Sequence, residues 1–427
     1  MQQELIDRDR LVNWHPYTQM KTTGHIPIVR GEGAYLFDAN GRRYIDAVSS
    51  WWVTLHGHAH PYIARKVYEQ LQTLEQVIFA GFTHPPAIEL SERLLALLPA
   101  NQEKVFYTDN GSTAVEVALK MCIQYHHNQG VRKPKILAFR NGYHGDTFGA
   151  MSVSGRSTWT DPYESFLFEV VFIDTPAADN LPELKKIIDR HAAELACFIY
   201  EPLVQGAGGM LMYDAGSLSE LMQYCRSKGV LLVQDEIFVG FGRTGKLFAA
   251  GHLTEAPDIM CFSKGLTGGT IPLGLTTCSQ AVYEAFYTDD KTKALFHGHS
   301  FTANPLACAA ALASMDLLLQ EGTQSNIARI CRQHTAFAQE LEAGAGPLSV
   351  RQCGTILALE WPTADPTSYF SSIQPFLYTF FLERNIVLRP LGNIIYLVPP
   401  YCIAEEDLAY VYGCIREVLG VLGGEDA

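Results

Sequence analysis

Residues 105–122 read VFYTDNGSTAVEVALKMC, and two periodicities meet inside them. An apolar run ends near Tyr107, a polar turn follows, and then Ala114, Val117, Ala118, Met121 and Cys122 recur at i, i+3, i+4, i+7 and i+8. That spacing puts them on one stripe of a helix, which is predicted to start near Thr113 with Gly111 and Ser112 opening it. The unit is a strand, a turn and a packed helix. Working outward, short apolar runs recur at 135–139 (KILAF), 196–200 (ACFIY), 230–234 (VLLVQ) and 258–262 (DIMCF), mostly with helical stretches between them. Such alternation predicts an α/β fold with a mainly parallel sheet covered on both faces. Near the start, AYLFDANGRRYID sets Asn40-Gly41 between two alternating segments, a hairpin signal. After about residue 315 the pattern becomes α+β, with TILALEW and IIYLVPP as strands and EEDLAYVYGCIREVL as a helix. The expected organisation is a large α/β domain over 50–315 and a smaller α+β domain built from 1–49 and 316–427.

At 427 residues the chain is long enough for two or three domains, and its 48% hydrophobic content suits a globular protein. The 32 basic against 45 acidic residues give a net charge of −13 with no long basic run, which argues against nucleic acid or an anionic membrane as partner. Small molecules are the expected partners. Ten cysteines without a CxxC pair fit buried thiols of a reducing compartment. MQQELIDRDR carries no apolar signal core, and no run approaches the roughly 20 apolar residues of a membrane span, so a cytoplasmic location is expected.

In open α/β sheets ligands bind beyond the carboxyl ends of the strands, so the residue after each apolar run is informative. Those ends deliver Asn110, Gly111 and Ser112; then Tyr143, His144 and Asp146; then Glu201 and Gln205; then Asp235; then Lys264. Gly111 and Ser112 at a helix start offer N–H groups to a phosphate, or form an ordinary cap. Asp235 ends a strand that reads as buried, where a lone charge is costly, so it needs a cation or a proton; a structural ion pair is the plainer alternative. Lys264 precedes GLTGG, so its amine is expected in a glycine-lined space, where burial lowers its pKa and makes it a nucleophile towards a carbonyl. Lys246, in GFGRTGK at 240–246, looks at first like a P-loop lysine. Leu247 stands where Mg²⁺ binding needs Ser or Thr, so Lys246 reads as solvated.

Pyridoxal phosphate needs this combination: a lysine to hold it as a Schiff base, a carboxylate to keep its ring nitrogen protonated, and a helix terminus for its phosphate. An aromatic such as Tyr143 would stack on the ring.

With those residues in view, the chain resembles the class III, fold-type I pyridoxal-phosphate aminotransferases along nearly its whole length. The resemblance rests on DNGSTAVEVALK, RNGYHGDTFGAMSVSG, EPLVQGAGGM, QDEIFVGFGRTGKLFA, FSKGLTGGTIPLG and HGHSFTANPLACAAA in that order. It implies Lys264 as the Schiff-base lysine and proton shuttle, Asp235 as the pyridine partner and Tyr143 as the stacking residue. Gly111, Ser112 and Ser300 would hold the phosphate, Ser300 from the other subunit, which implies a homodimer with shared sites. Ser300 replaces the usual Thr and keeps its hydroxyl; Val239, where Thr is common, loses one.

Within the family, NWHPYTQM, VSSWWVTLHGH and LRPLGNIIYLVPPY are similar to the branch that aminates 8-amino-7-oxononanoate in biotin biosynthesis. That resemblance implies a ping-pong transfer from S-adenosylmethionine, or lysine as in some relatives, with the pyridoxamine form carrying the nitrogen between the two halves. Arg389 could grip the acceptor carboxylate in a bidentate fork. Trp51 and Trp52 would wall its aliphatic chain, with Tyr17, Tyr143, Asp146 and Tyr396 around it and Tyr17 also near the chemistry. Core or dimer packing is the other reading of the tandem Trp, and a domain-interface ion pair that of Arg389.

Three rivals stand beside this. His56, His58 and His60 in LHGHAHP alternate as a metal-binding strand would, but no later ligands accompany them and Pro61 follows at once, so no metal is expected. The P-loop reading fails at Leu247. Another class III enzyme acting on diamines or ω-amino acids is the nearest alternative, against which the Trp pair and the C-terminal Arg–Tyr box argue.

Overall fold

The computed structural model describes residues 2–344, 348–362 and 371–423. Seven strands form its central sheet. Across it run Gln102–Thr108, Gly274–Ser279, Ile259–Phe262, Leu231–Asp235, Leu195–Tyr200, Lys135–Phe139 and Val170–Ile173. Gly274–Ser279 is antiparallel to both neighbours, and every other adjacent pair is parallel. The mainly parallel expectation therefore holds, with one reversed strand.

Two strands of this sheet, Val170–Ile173 and Gly274–Ser279, are absent from the apolar runs picked out above. GLTTCS is too polar to stand out, yet it is buried throughout. Its threonines manage this by donating: Thr276 Oγ1 to the Ala114 carbonyl at 2.7 Å and Thr277 Oγ1 to Gln102 Oε1 at 2.6 Å.

The helix Gly111–Asn128 lays Ala114, Val117, Ala118, Met121 and Cys122 against the sheet, the stripe predicted from spacing. It starts two residues before the predicted Thr113 because Asn110 is the cap. Asn110 Oδ1 accepts the Thr113 N–H at 3.0 Å, and the Asn110 N–H donates to Thr113 Oγ1 at 3.3 Å. Such a reciprocal box stabilises a helix start by about 1 kcal/mol.

Two smaller sheets come from the chain ends. The predicted hairpin is Tyr35–Asp38 with Arg43–Asp46, turning at Gly41 with φ 82° while Asp38 accepts the Asn40 and Arg42 N–H groups. Ile28–Glu32 and Ile386–Val387 flank it. The second sheet runs Ser349–Cys353, Ile356–Glu360, Ile394–Leu397, covered by the helix Glu321–Ala343, on which the helix Glu405–Gly423 packs through Tyr412 against Phe337 and His334. Among the described residues no helix is long and apolar enough to cross a membrane.

Candidate active site

The parallel strands deliver their polar residues to one edge. Asp235 is the last residue of its strand and Lys264 stands two past Phe262. Glu201 follows Tyr200, and Tyr143 and His144 lie on the loop after Phe139. Lys264 sits at φ 45°, a strained conformation for a non-glycine residue that costs about 1–3 kcal/mol and is characteristic of functional sites. Its amine has no hydrogen-bond partner among the described residues. Burial lowers its pKa, opposed by the nearby Asp235 and Glu201 carboxylates. Nζ lies 4.9 Å from the Trp52 ring centre and 5.9 Å from that of Phe238.

Asp235 is closed to solvent, and both its oxygens are engaged. Oδ2 lies 2.7 Å from His144 Nδ1, and Oδ1 accepts the Ile237 N–H at 3.0 Å. His144 Nε2 is buried without a partner. Glu201 accepts the N–H groups of Tyr143 at 2.9 Å and Gly206 at 3.0 Å, while burial pushes its pKa up to about 7. Beside it, both amide atoms of Gln205 are buried and unpartnered.

At the helix start, Ser112 Oγ lies 2.8 Å from Thr147 Oγ1 and accepts the Thr147 N–H at 3.0 Å. The N–H groups of Gly111 and Ser112 have no partner among the described residues, as expected of the first two positions of a helix. Gly145 closes over them: a Cβ there would stand 2.3 Å from Ser112 Oγ. Pyridoxal phosphate fits these groups. An unpaired buried amine, a buried Asp–His pair, an orphaned amide and open N–H groups at a helix terminus are what that molecule satisfies.

The tandem tryptophans lie on a turn with the wrong hand. Ser49, Ser50, Trp51 and Trp52 have φ of 50°, 48°, 82° and 73°, closed by Trp52 N–H to the Val48 carbonyl and Val53 N–H to that of Ser49. Left-handed turns cost about 1–2 kcal/mol per L-residue. Asp46 offsets this by accepting the N–H groups of Val48 (3.2 Å) and Ser50 (3.0 Å) and the Ser50 hydroxyl (3.0 Å), with His58 Nε2 at 2.8 Å. Trp52 is thereby buried at 3% exposure beneath Lys264, whereas Trp51 is 39% exposed with the Arg389 guanidinium 4.5 Å over its ring.

Tyr17 also has positive φ, 50°, and donates to Asp146 Oδ2 at 2.5 Å. Burial and that carboxylate push its pKa up to about 12. Its ring meets Trp51 and Trp159 edge-on at 5.6 and 5.5 Å. The Tyr143 hydroxyl is likewise raised by burial, with Asp146 and Tyr17 adding to the shift. Tyr396 lies buried behind Trp52, ring centres 6.0 Å apart.

Other candidates fall outside this group. Ser300 is exposed on another loop, its carbonyl accepting from Gln76 Nε2 at 2.5 Å. Lys246 Nζ donates to the Gly251 carbonyl at 2.6 Å, a local turn contact. Val239 is packed in the apolar core. Of the three alternating histidines, His56 bonds Ser314 at 3.0 Å and meets the His60 ring edge-on at 6.4 Å, while His58 turns to Asp46.

Sequence reasoning assigned no role to several residues that the fold brings here. His144 and Gln205 were visible at strand ends, but their partners were not. Arg243, inside GFGRTGK, is fully buried, donating to the Pro399 carbonyl at 2.7 Å and, at 3.5 Å, to that of Trp52. Its only signal was a charge among small residues.

Comparison with known proteins agrees with this geometry. The class-III aminotransferase family model matches residues 17–419. The chain is 43% identical over 417 residues to an adenosylmethionine-8-amino-7-oxononanoate aminotransferase of Synechococcus elongatus, covering 95% of this chain and 98% of that one. Among solved structures, the enzyme of that same name from Methanocaldococcus jannaschii superposes with a TM-score of 0.92 at 35% identity, over 97% of this chain and 99% of the other. A PLP-bound amine transaminase from an uncultivated Pseudomonas species gives 0.88 at 30% identity, covering 95% and 97%. The chain belongs to the class III aminotransferases and is a pyridoxal-phosphate-dependent enzyme.

Proposed function

We propose that this enzyme transfers an amino group from S-adenosylmethionine to 8-amino-7-oxononanoate, giving 7,8-diaminopelargonate for biotin synthesis. The names of its relatives support the reading. The observation that carries it is Arg389 over Trp51, beside Tyr17 and Asp146. There a guanidinium and an indole face offer a long aliphatic carboxylate its two kinds of contact.

Bound pyridoxal phosphate supplies the electron sink that stabilises charge at the substrate carbon. Lys264 would hold the cofactor covalently, and its amine would move the proton at the substrate carbon. Burial lowers its pKa, which favours the neutral amine that both tasks need. Asp235, fixed by His144 and the Ile237 N–H, would partner the ring nitrogen. Gly111 and Ser112 would present N–H groups to the phosphate, and Tyr143 would cover the ring. Trp51 and Trp52 wall the aliphatic chain, Arg389 binds its carboxylate, and Tyr17, Asp146 and Tyr396 complete the surround.

We also propose a homodimer in which Ser300 of one subunit reaches the phosphate held by the other. Support comes from Ile78, Phe82, Phe296 and Phe301, large apolar side chains each at least 60% exposed and near Ser300 in sequence or near its contact Gln76. The larger domain would span 50–315 and the smaller would combine both chain ends.

The test is to add S-adenosylmethionine, and separately lysine, to the cofactor-loaded enzyme and follow its visible absorption. Conversion to the pyridoxamine form by S-adenosylmethionine is expected. Conversion by lysine alone would change the donor; conversion only by a diamine would refute the biotin reading.

A further inference from the structure

Asp9, His15 and His25 lie outside the lysine site and bring three ligating atoms together. Asp9 belongs to the helix Gln2–Val12, and the two histidines bracket the loop that carries Tyr17. His25 Nδ1 lies 2.6 Å and His15 Nε2 2.8 Å from Asp9 Oδ2, and His15 Nε2 is also 3.1 Å from Oδ1. The imidazole rings lie 4.2 Å apart, tilted by 32°. All three ligand atoms fall within 4.8 Å of one another.

Two imidazoles and a carboxylate suit a divalent transition metal, and three protein ligands leave a fourth position for water. Ligand atoms about 2.0–2.2 Å from a tetrahedral ion are separated by roughly 3.3–3.5 Å, so shifts of under about 1 Å would seat one. An outer partner is already present, because Asn13 Nδ2 donates to Asp9 Oδ1 at 2.8 Å and steadies the carboxylate. The competing reading is a hydrogen-bonded clamp with no ion.

We propose that Asp9, His15 and His25 bind a divalent ion of the zinc type, which ties the helix Gln2–Val12 to the loop bearing Tyr17. The ion is structural: it pins that loop at both ends and takes no part in proton transfer.

Cobalt(II) serves as the probe. Chelator-treated, dialysed holoenzyme is titrated with Co²⁺ while its visible d–d bands and bound metal are measured. One ion per chain is expected, with affinity at least ~10-fold weaker in Asp9→Asn and in His25→Ala. Asp9 lies on a helix without buried residues, so Asp9→Asn should fold, as circular dichroism would check. Absence of stoichiometric uptake overturns the proposal. So does uptake unchanged in both variants, which would place the ion on other groups.

Discussion

His144 Nδ1 lies 2.7 Å from Asp235 Oδ2, and both side chains are buried. The contact joins the loop after one strand to the end of another, so the carboxylate is oriented before any ligand arrives. Preorganised groups of this kind need no rearrangement during reaction.

Removing either partner should therefore be felt twice. His144→Ala leaves a buried carboxylate with the Ile237 N–H as its remaining partner among the described residues, and should cost about 2–4 kcal/mol of stability. Urea unfolding of the cofactor-free protein measures this. Asp235→Asn preserves shape but removes the charge, so kcat should fall about 10²-fold or more while the fold persists. Wild-type kcat in that variant would contradict the assigned role.

The two lysines separate cleanly. Lys264→Ala should lower turnover by about 10²–10⁴-fold and prevent borohydride from fixing the cofactor to the chain. Lys246→Ala removes only the contact to the Gly251 carbonyl and should leave both properties intact. Peptide mapping after reduction identifies the modified lysine, and a label on Lys246 would reverse the choice.

Glu201 carries a pH signature. Burial raises its pKa from 4.5 to about 7, so the folded state holds the proton more tightly than the unfolded chain. Its contribution to stability is favourable below 4.5 and is lost as pH rises through about 7. Glu201→Gln should abolish that loss, changing the mutant-minus-wild-type unfolding free energy by about 2–4 kcal/mol between pH 5 and pH 8. Equal differences at the two pH values would exclude a buried, titrating Glu201.

Arg389→Lys keeps the charge and loses the fork. KM for the carboxylate-bearing acceptor should rise about 10–100-fold. The donor half-reaction, followed by stopped-flow absorption, should change much less. An equal loss in both halves would remove Arg389 from acceptor recognition.

The sheet and the residues at its carboxyl edge were legible because both follow local rules: apolar runs of strand length, each ending in a polar residue. Local rules placed Lys264, Asp235 and Gly111 at strand ends and a helix start, while their proposed roles came from the family resemblance. The strand Gly274–Ser279 was hidden because its threonines are satisfied by Ala114 and Gln102, more than 150 residues away in sequence. Arg243 was hidden likewise, since its burial depends on carbonyls at Pro399 and Trp52. Nor does any hydrophobic pattern foretell four successive residues with positive φ.

That reversed turn gives two neighbouring indoles different tasks, one beneath the amine and the other beneath the guanidinium. With a single peptide bond between them, a change in the backbone of this turn, or in its brace at Asp46, shifts both indoles together, the one under Lys264 and the one under Arg389.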